Sequence, residues 1–298
     1  MDSFRINRAD WKRRNLHNRL QAGLLLISMS GFLGLLGYIL FGSQGLWVML
    51  LMSVIPLFWN PSKSPRLVLR LYRARLLHFD QAPALFALVR ELSQRAGLPV
   101  VPEIFFISNN MINAFSVGNR KASAVAVTNG LLQSLRPREI VGVLAHEISH
   151  IANNDLRVMV LADLITRMAS FLSLIGQFLL FLNLPLILMA EAHVDWWAVL
   201  LLVFAPQIML LAQLGLSRTR EYDADMQAVQ LTDDPEGLAS ALYKVEDHQV
   251  SIFRRLWPGA RLPQNSWLRT HPPTEKRVQR LLALHSSSKR KPGQVYSA

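Results

Sequence analysis

The sequence predicts an α+β, mostly helical integral membrane protein, with four transmembrane segments in two hairpins and a cytoplasmic domain containing a small sheet. Three observations predict it: long runs without charge, Lys and Arg confined to one side of those runs, and short apolar stretches with strand character between them. The chain has 298 residues, is 51% hydrophobic and carries a formal net charge of +12. Apolar spans in lipid joined by basic cytoplasmic loops account for both values at once. The basic residues flank apolar spans and no recognition motif accompanies them, so no nucleic-acid partner is expected.

From Leu20 to Ser62 there is no charged residue, and a span needs about 20 apolar residues. This stretch therefore holds two spans, near residues 21–41 and 46–59, separated by Gly42-Ser43-Gln44-Gly45. The second is short. A further uncharged run, Met168–Ala190, is followed by a polar connector with Glu191, His193 and Asp195, and Trp196–Ser217 completes the second hairpin. The apolar start is too long for the core of a signal peptide.

Orientation follows from the cations. Arg5, Arg8, Lys12, Arg13, Arg14 and Arg19 precede the first span, Lys63, Arg66, Arg70, Arg73 and Arg75 follow the second, and Arg218 and Arg220 follow the fourth. Neither hairpin connector contains Lys or Arg, so both termini and everything between the hairpins are expected in the cytoplasm. The organisation reads as a basic segment over 1–19, the first hairpin over 20–62, a cytoplasmic part over 63–167, the second hairpin over 168–217, a second cytoplasmic part over 218–285 and a disordered basic tail over 286–298. The lipid bilayer is the surroundings this chain requires.

Within the cytoplasmic part, residues 80–96 have helical periodicity and end at Gly97-Leu98-Pro99. Residues 103–107 and 123–128 read as strands, with a third over 111–118. Pro137 opens a helix, another starts at Asp234-Pro235 and runs to about Asp247, and a last one follows Pro273. The chain has no cysteine, which excludes disulfides, thiolate metal sites and cysteine nucleophiles.

His146-Glu147-Ile148-Ser149-His150 carries the chemistry. Two histidines one helical turn apart project from one face and can hold two corners of a tetrahedral zinc site, with the intervening Glu147 as general base. The flanks are apolar, so the helix is buried, and unpartnered histidines there would be costly. A catalytic zinc needs a third protein ligand and one open position. A histidine-type continuation fails, since its glycine and histidine positions are Asn153 and Leu156. A glutamate from a second helix remains, and Glu221 supplies it, with Asp225 on the same face to accept the outer N–H of a ligand histidine.

The chain resembles the HtpX family of membrane zinc metalloproteases, relatives of the type I CAAX prenyl proteases. The matching residues are Asn113-Ala114-Phe115 with Gly118, Val125–Thr128 with Gly130-Leu131-Leu132, His146–His150 with Ile151, Asn153 and Asp155, Ser217–Asp225, and Thr270-His271-Pro272-Pro273-Thr274. The resemblance covers roughly 67–285. It implies a zincin-like catalytic domain with one Zn2+ per chain on His146, His150 and Glu221, and Glu147 as the base. It further implies that Asn113, Ala114 and Phe115 pair with an extended substrate backbone. His271 is either an oxyanion donor or part of a structural Pro-Pro turn, and Arg220 either shares that catalytic end or pairs with Asp225. The expected activity is hydrolysis of membrane proteins, misfolded or damaged ones, at the cytoplasmic face of the inner membrane. The alternatives are a prenyl-peptide protease and a non-enzymatic adaptor for misfolded proteins; four spans are too few for a prenyl-protease chamber, and the complete ligand set argues against an adaptor.

Overall fold

The computed structural model describes residues 8–58, 65–189, 195–256 and 273–289. They form two compact units, one drawn from the described residues within 8–18, 65–156 and 220–289, the other from those within 19–58 and 157–219.

The second unit is apolar. Its helices come from α1 (Arg8–Phe58), α6 (Asp155–Leu182) and α8 (Trp196–Thr232), with the short α7 (Leu184–Leu188) after α6. Among the described residues three helices are long and apolar enough to cross a membrane: Leu16–Ile55 within α1, α6 and α8. The sequence expectation of four spans meets three because α1 is a run broken at Gly42, which takes φ 66° and ψ −153°. Glycine alone enters that region without a Cβ clash. The chain folds back there, and a Cβ added to Gly45 would strike the Gly37 carbonyl oxygen. The returning arm, 43–58, spans about 24 Å at ~1.5 Å per residue, less than the ~30 Å of a bilayer core.

Met29, Leu33 and Leu36 of α1 are buried against Ile165 and Ala169 of α6 and Ala205 and Met209 of α8. The outward faces carry exposed Phe171, Leu174, Phe178 and Phe181 on α6, and Trp196, Trp197 and Phe204 on α8, a surface suited to lipid. Inside α8, Pro206 has no N–H for the carbonyl one turn back, that of Leu202. The buried Ser173 Oγ of α6 donates to that carbonyl at 2.5 Å. A polar side chain thus replaces the lost helical bond, as apolar surroundings require.

The first unit is a four-stranded sheet covered by helices. Its strands are β1 (Arg75–Leu76), β2 (Glu103–Ile107), β3 (Ala114–Asn119) and β4 (Ala122–Thr128), in the order β1-β2-β4-β3. β2 and β4 are parallel and the other pairs antiparallel, so β3 is an edge strand. The third strand starts later than the sequence suggests, and β1, α2 (Pro65–Leu71) and α4 (Asn129–Ser134) were too short to leave a periodic signal.

Alternation sorts β4 onto two cores. Val125 and Val127 face the core built with Val89 of α3 (Pro83–Arg95) and Leu144 and Ile148 of α5 (Pro137–Asn153). Ala124 and Ala126 face Leu69 of α2. α9 (Pro235–Leu256) continues well past Asp247, and α10 (Thr274–Lys289) carries helix through residues 286–289, the first four of the expected disordered tail. The rest of that tail lies outside the described residues.

α5 is fixed at its N-terminus by Glu139, which is fully buried. Its carboxylate accepts from the Arg136 backbone N–H at 2.7 Å, from Ser240 Oγ at 2.7 Å and from Lys244 Nζ at 2.8 Å, the last two on α9. Gly142 permits the contact between these helices, since a Cβ there would come 3.0 Å from Leu238 Cα. Burial pushes the Glu139 carboxyl up, but the hydrogen bonds from Lys244, Arg136 and Ser240 outweigh it and bring it down to about 2. A depressed carboxylate stabilises the fold above its unfolded value, 4.5, and that contribution is lost as pH falls through the folded value. Glu139→Gln is expected to lower stability at pH 7 by roughly 1–3 kcal/mol. Melting temperatures between pH 5 and about 2 should fall more steeply for the native chain than for the variant.

Candidate metal centre

α5 presents His146 and His150 one turn apart, with His146 buried. The helix stops at Asn154, which adopts the left-handed conformation at φ 56° and ψ 32°, a region asparagine tolerates better than most residues. That residue turns the chain into α6, so that Asp155 Oδ2 lies 2.8 Å from His150 Nδ1. The end of one helix thus supplies the carboxylate that orients the second histidine.

α8 supplies the rest. Glu221 and Asp225 are one turn apart on it and both are buried. His146 Nδ1 lies 3.0 Å from Asp225 Oδ1. With both Nδ1 atoms against carboxylates, a neutral imidazole at either position would carry its proton there and turn the Nε2 lone pair inward. The two Nε2 atoms are 3.1 Å apart. His146 Nε2 is 3.5 Å from Glu221 Oε2, and His150 Nε2 is 3.8 Å from Glu221 Oε1. Two lone pairs and a carboxylate converging on one point repel each other unless a cation sits among them.

The spacing suits a small metal ion. At zinc–ligand distances of about 2.0–2.1 Å, the edge of a tetrahedron is roughly 3.3 Å, and the three edges here, 3.1, 3.5 and 3.8 Å, bracket it. Among the described residues His146, His150 and Glu221 form the group that could hold a metal ion, with ligand atoms all within 4.8 Å of one another. Burial alone would push His146 down, but Asp225 and Glu221 outweigh it and push it up to about 10, so without an ion a second ring proton supplies the positive charge that a metal would bring.

Two arginines compensate the orienting carboxylates. Arg220 Nη1 lies 3.4 Å from Asp155 Oδ1, and its Nη2 lies 3.0 Å from Asp223 Oδ2 and donates to the Asn18 carbonyl at 3.2 Å. Of the two roles open to Arg220 in the sequence, pairing with Asp225 is replaced by pairing with Asp155 and Asp223. Arg277 of α10 takes the Asp225 position, with Nε at 2.7 Å from Oδ2 and Nη2 at 2.6 Å from Oδ1. Sequence reasoning missed Arg277. Its signal was a cation on an apolar helix face, one turn before Leu281 and next to Val278, both buried.

Glu147 is half-buried, and its Oε2 accepts from Ser116 Oγ of the edge strand at 2.9 Å. Ala114 and Phe115 open that strand. Asn113, just before it, accepts from the Thr128 N–H at 3.1 Å, and its own N–H donates to Thr128 Oγ1 at 3.1 Å. Gly130 lets the chain approach, since a Cβ there would strike the Asn110 carbonyl. The motif residues around Thr128 and Gly130 thus fix where β3 begins. His271 lies outside the described residues.

The model of Peptidase family M48 matches residues 80–285, which include both histidines, Glu221 and Arg277. This chain belongs to peptidase family M48. A protease HtpX homologue of Thermococcus sibiricus is 35% identical over 283 residues, covering 88% of this chain and 94% of the relative. One from Aquifex aeolicus is 35% identical over 273 residues, covering 86% and 90%. The crystal structure of S. mikatae Ste24p is similar at 22% identity and a TM-score of 0.49, covering 90% of this chain and 66% of that one. The HtpX resemblance is borne out: with its His-His-Glu group and apolar helices, this M48 chain is a membrane metalloprotease.

The carboxylate behind His150 gives a test. Asp155→Asn is expected to weaken metal binding 10–100-fold, in the range usual for carboxylates that orient ligand histidines. Competition against a chromogenic chelator measures it, and unchanged affinity would remove Asp155 from the site.

Proposed function

We propose that this M48 chain is a zinc-dependent endopeptidase that cleaves membrane proteins, misfolded or damaged ones, at the cytoplasmic face of the inner membrane. The observation that carries the reading is the convergence of two histidine ring nitrogens and one carboxylate beside Glu147, itself held to the edge strand by Ser116. His146, His150 and Glu221 would hold a zinc ion, which when bound would supply Lewis acidity toward water and a carbonyl oxygen.

Glu147 takes the proton from the attacking water as the C–O bond forms, using the carboxylate oxygen that Ser116 leaves open. It then delivers that proton to the amine nitrogen as the C–N bond breaks. At the outer edge of β3 the N–H and C=O of Ala114, between the β4-facing Asn113 and Phe115, point away from β4, and an extended substrate strand adds to the sheet there. Strand addition recognises backbone rather than sequence and needs an unfolded segment, which favours damaged proteins. His271 remains the proposed oxyanion donor.

The cytoplasmic placement rests on the Lys and Arg distribution, and on four crossings if both arms of α1 enter the bilayer. α8 is continuous from Trp196 to Thr232, so one helix carries both apolar span and third ligand.

Glu147→Gln should retain zinc and lose about 10²–10⁴-fold in turnover, while His146→Ala loses both. Full proteolysis by the purified Glu147→Gln protein would sink the mechanism. Orientation is separately testable because the chain has no cysteine. A cysteine at exposed Gln44 should react with an impermeant thiol reagent in intact cells, and one at exposed Lys121 only after permeabilisation. The reverse pattern would place the site on the other face.

A further inference from the structure

Arg277 is buried, 6% exposed, on α10. All three guanidinium nitrogens face carboxylates of α8: Nε and Nη2 grip Asp225, and Nη1 lies 3.1 Å from Glu221 Oε2. Asp225 Oδ1 is also the atom 3.0 Å from His146 Nδ1. One planar fork therefore touches both the third metal ligand and the carboxylate that orients the first.

We infer that Arg277 is a positioning residue that holds Glu221 and His146 in their metal-binding geometry, so that the centre is complete only with the C-terminal helix in place. The inference rests on the reading of this cluster as a metal site. A cation and two carboxylates taken out of water cost more than apolar residues of the same volume, so stability alone does not explain them. Geometry does. A bidentate guanidinium fixes the plane of Asp225 in a way a single ammonium cannot. Its third nitrogen restrains Glu221, which lowers the cost of ordering that side chain on binding.

Electrostatics pulls the other way, since a nearby cation weakens the attraction for a metal ion. Most of the Arg277 charge is spent on Asp225, at 2.6 and 2.7 Å against 3.1 Å for Glu221, so the positioning effect prevails. Arg277→Lys keeps the charge and removes the fork, which separates the two effects.

The test uses the purified full-length chain and measures zinc affinity by chelator competition. Arg277→Lys and Arg277→Gln are each expected to bind zinc at least ~10-fold more weakly. Val278→Ala, which loosens α10 at a buried apolar contact without touching the cluster, should stay within twofold of the native chain. Native-like affinity in both Arg277 variants, with His146→Ala losing the metal, overturns this inference alone. Equal loss in Val278→Ala and the Arg277 variants also overturns it, by reducing Arg277 to a docking contact. Zinc binding unaffected by His146→Ala defeats the metal-site reading itself, and this inference with it.

Discussion

Buried carboxylates must find positive charge, and the centre of the first unit buries Asp155, Glu221, Asp223 and Asp225 together. Much of the local architecture follows from how each is compensated. Asp155 lies against His150 and Arg220, and Asp223 against Arg220 and the Asn18 amide. Asp225 lies against His146 and Arg277. Those partners come from α1, α5, α10 and α8 itself, so charge compensation draws distant parts of the chain together around α8 and the start of α6. Glu221 lies against Arg277 and against the Nε2 atoms of both histidines.

The pairs form two matching relays, Arg277–Asp225–His146 and Arg220–Asp155–His150. In each, a guanidinium fixes a carboxylate and the carboxylate fixes a ring, so the imidazoles reach their positions before any ion arrives. The local chain contributes differently to the two. Asp155 reaches His150 through a single left-handed asparagine at the end of α5, whereas Asp225 and Arg277 must be brought to His146 by tertiary packing. The Glu139 anchor between α5 and α9, and the close approach at Gly142, hold the ligand helix while this happens.

Much of the site was legible before any coordinates. The spacing of His146 and His150 encodes one face of a helix, and Glu221 with Asp225 repeats that logic four residues apart. The strands over 103–107 and 123–128 were visible because β4 is buried on both faces and its residues are small or β-branched. Less legible were features without periodicity: the two-residue β1, the short α2 and α4, and the Gly42 break that leaves the first apolar stretch as a folded-back pair of unequal arms. Ser173 is of the same kind. Its hydroxyl looks incidental until Pro206 deprives the Leu202 carbonyl of its helical partner.

By itself the sequence set out the candidate chemistry: the residue types that could hold an ion, the glutamate proposed to move the proton, and the runs long and apolar enough to enter lipid. Those depend on composition and on spacings of a few residues, where backbone geometry leaves little freedom. Only the tertiary structure decided which arginine serves which carboxylate. Arg220 is five residues from Asp225 and was the near candidate, yet it serves Asp155 and Asp223, while Arg277 crosses from another helix to Asp225. The reason is direction. Side chains five apart on a helix point apart, and a bidentate contact needs a fork arriving head-on, which a packed neighbour offers and the same helix does not.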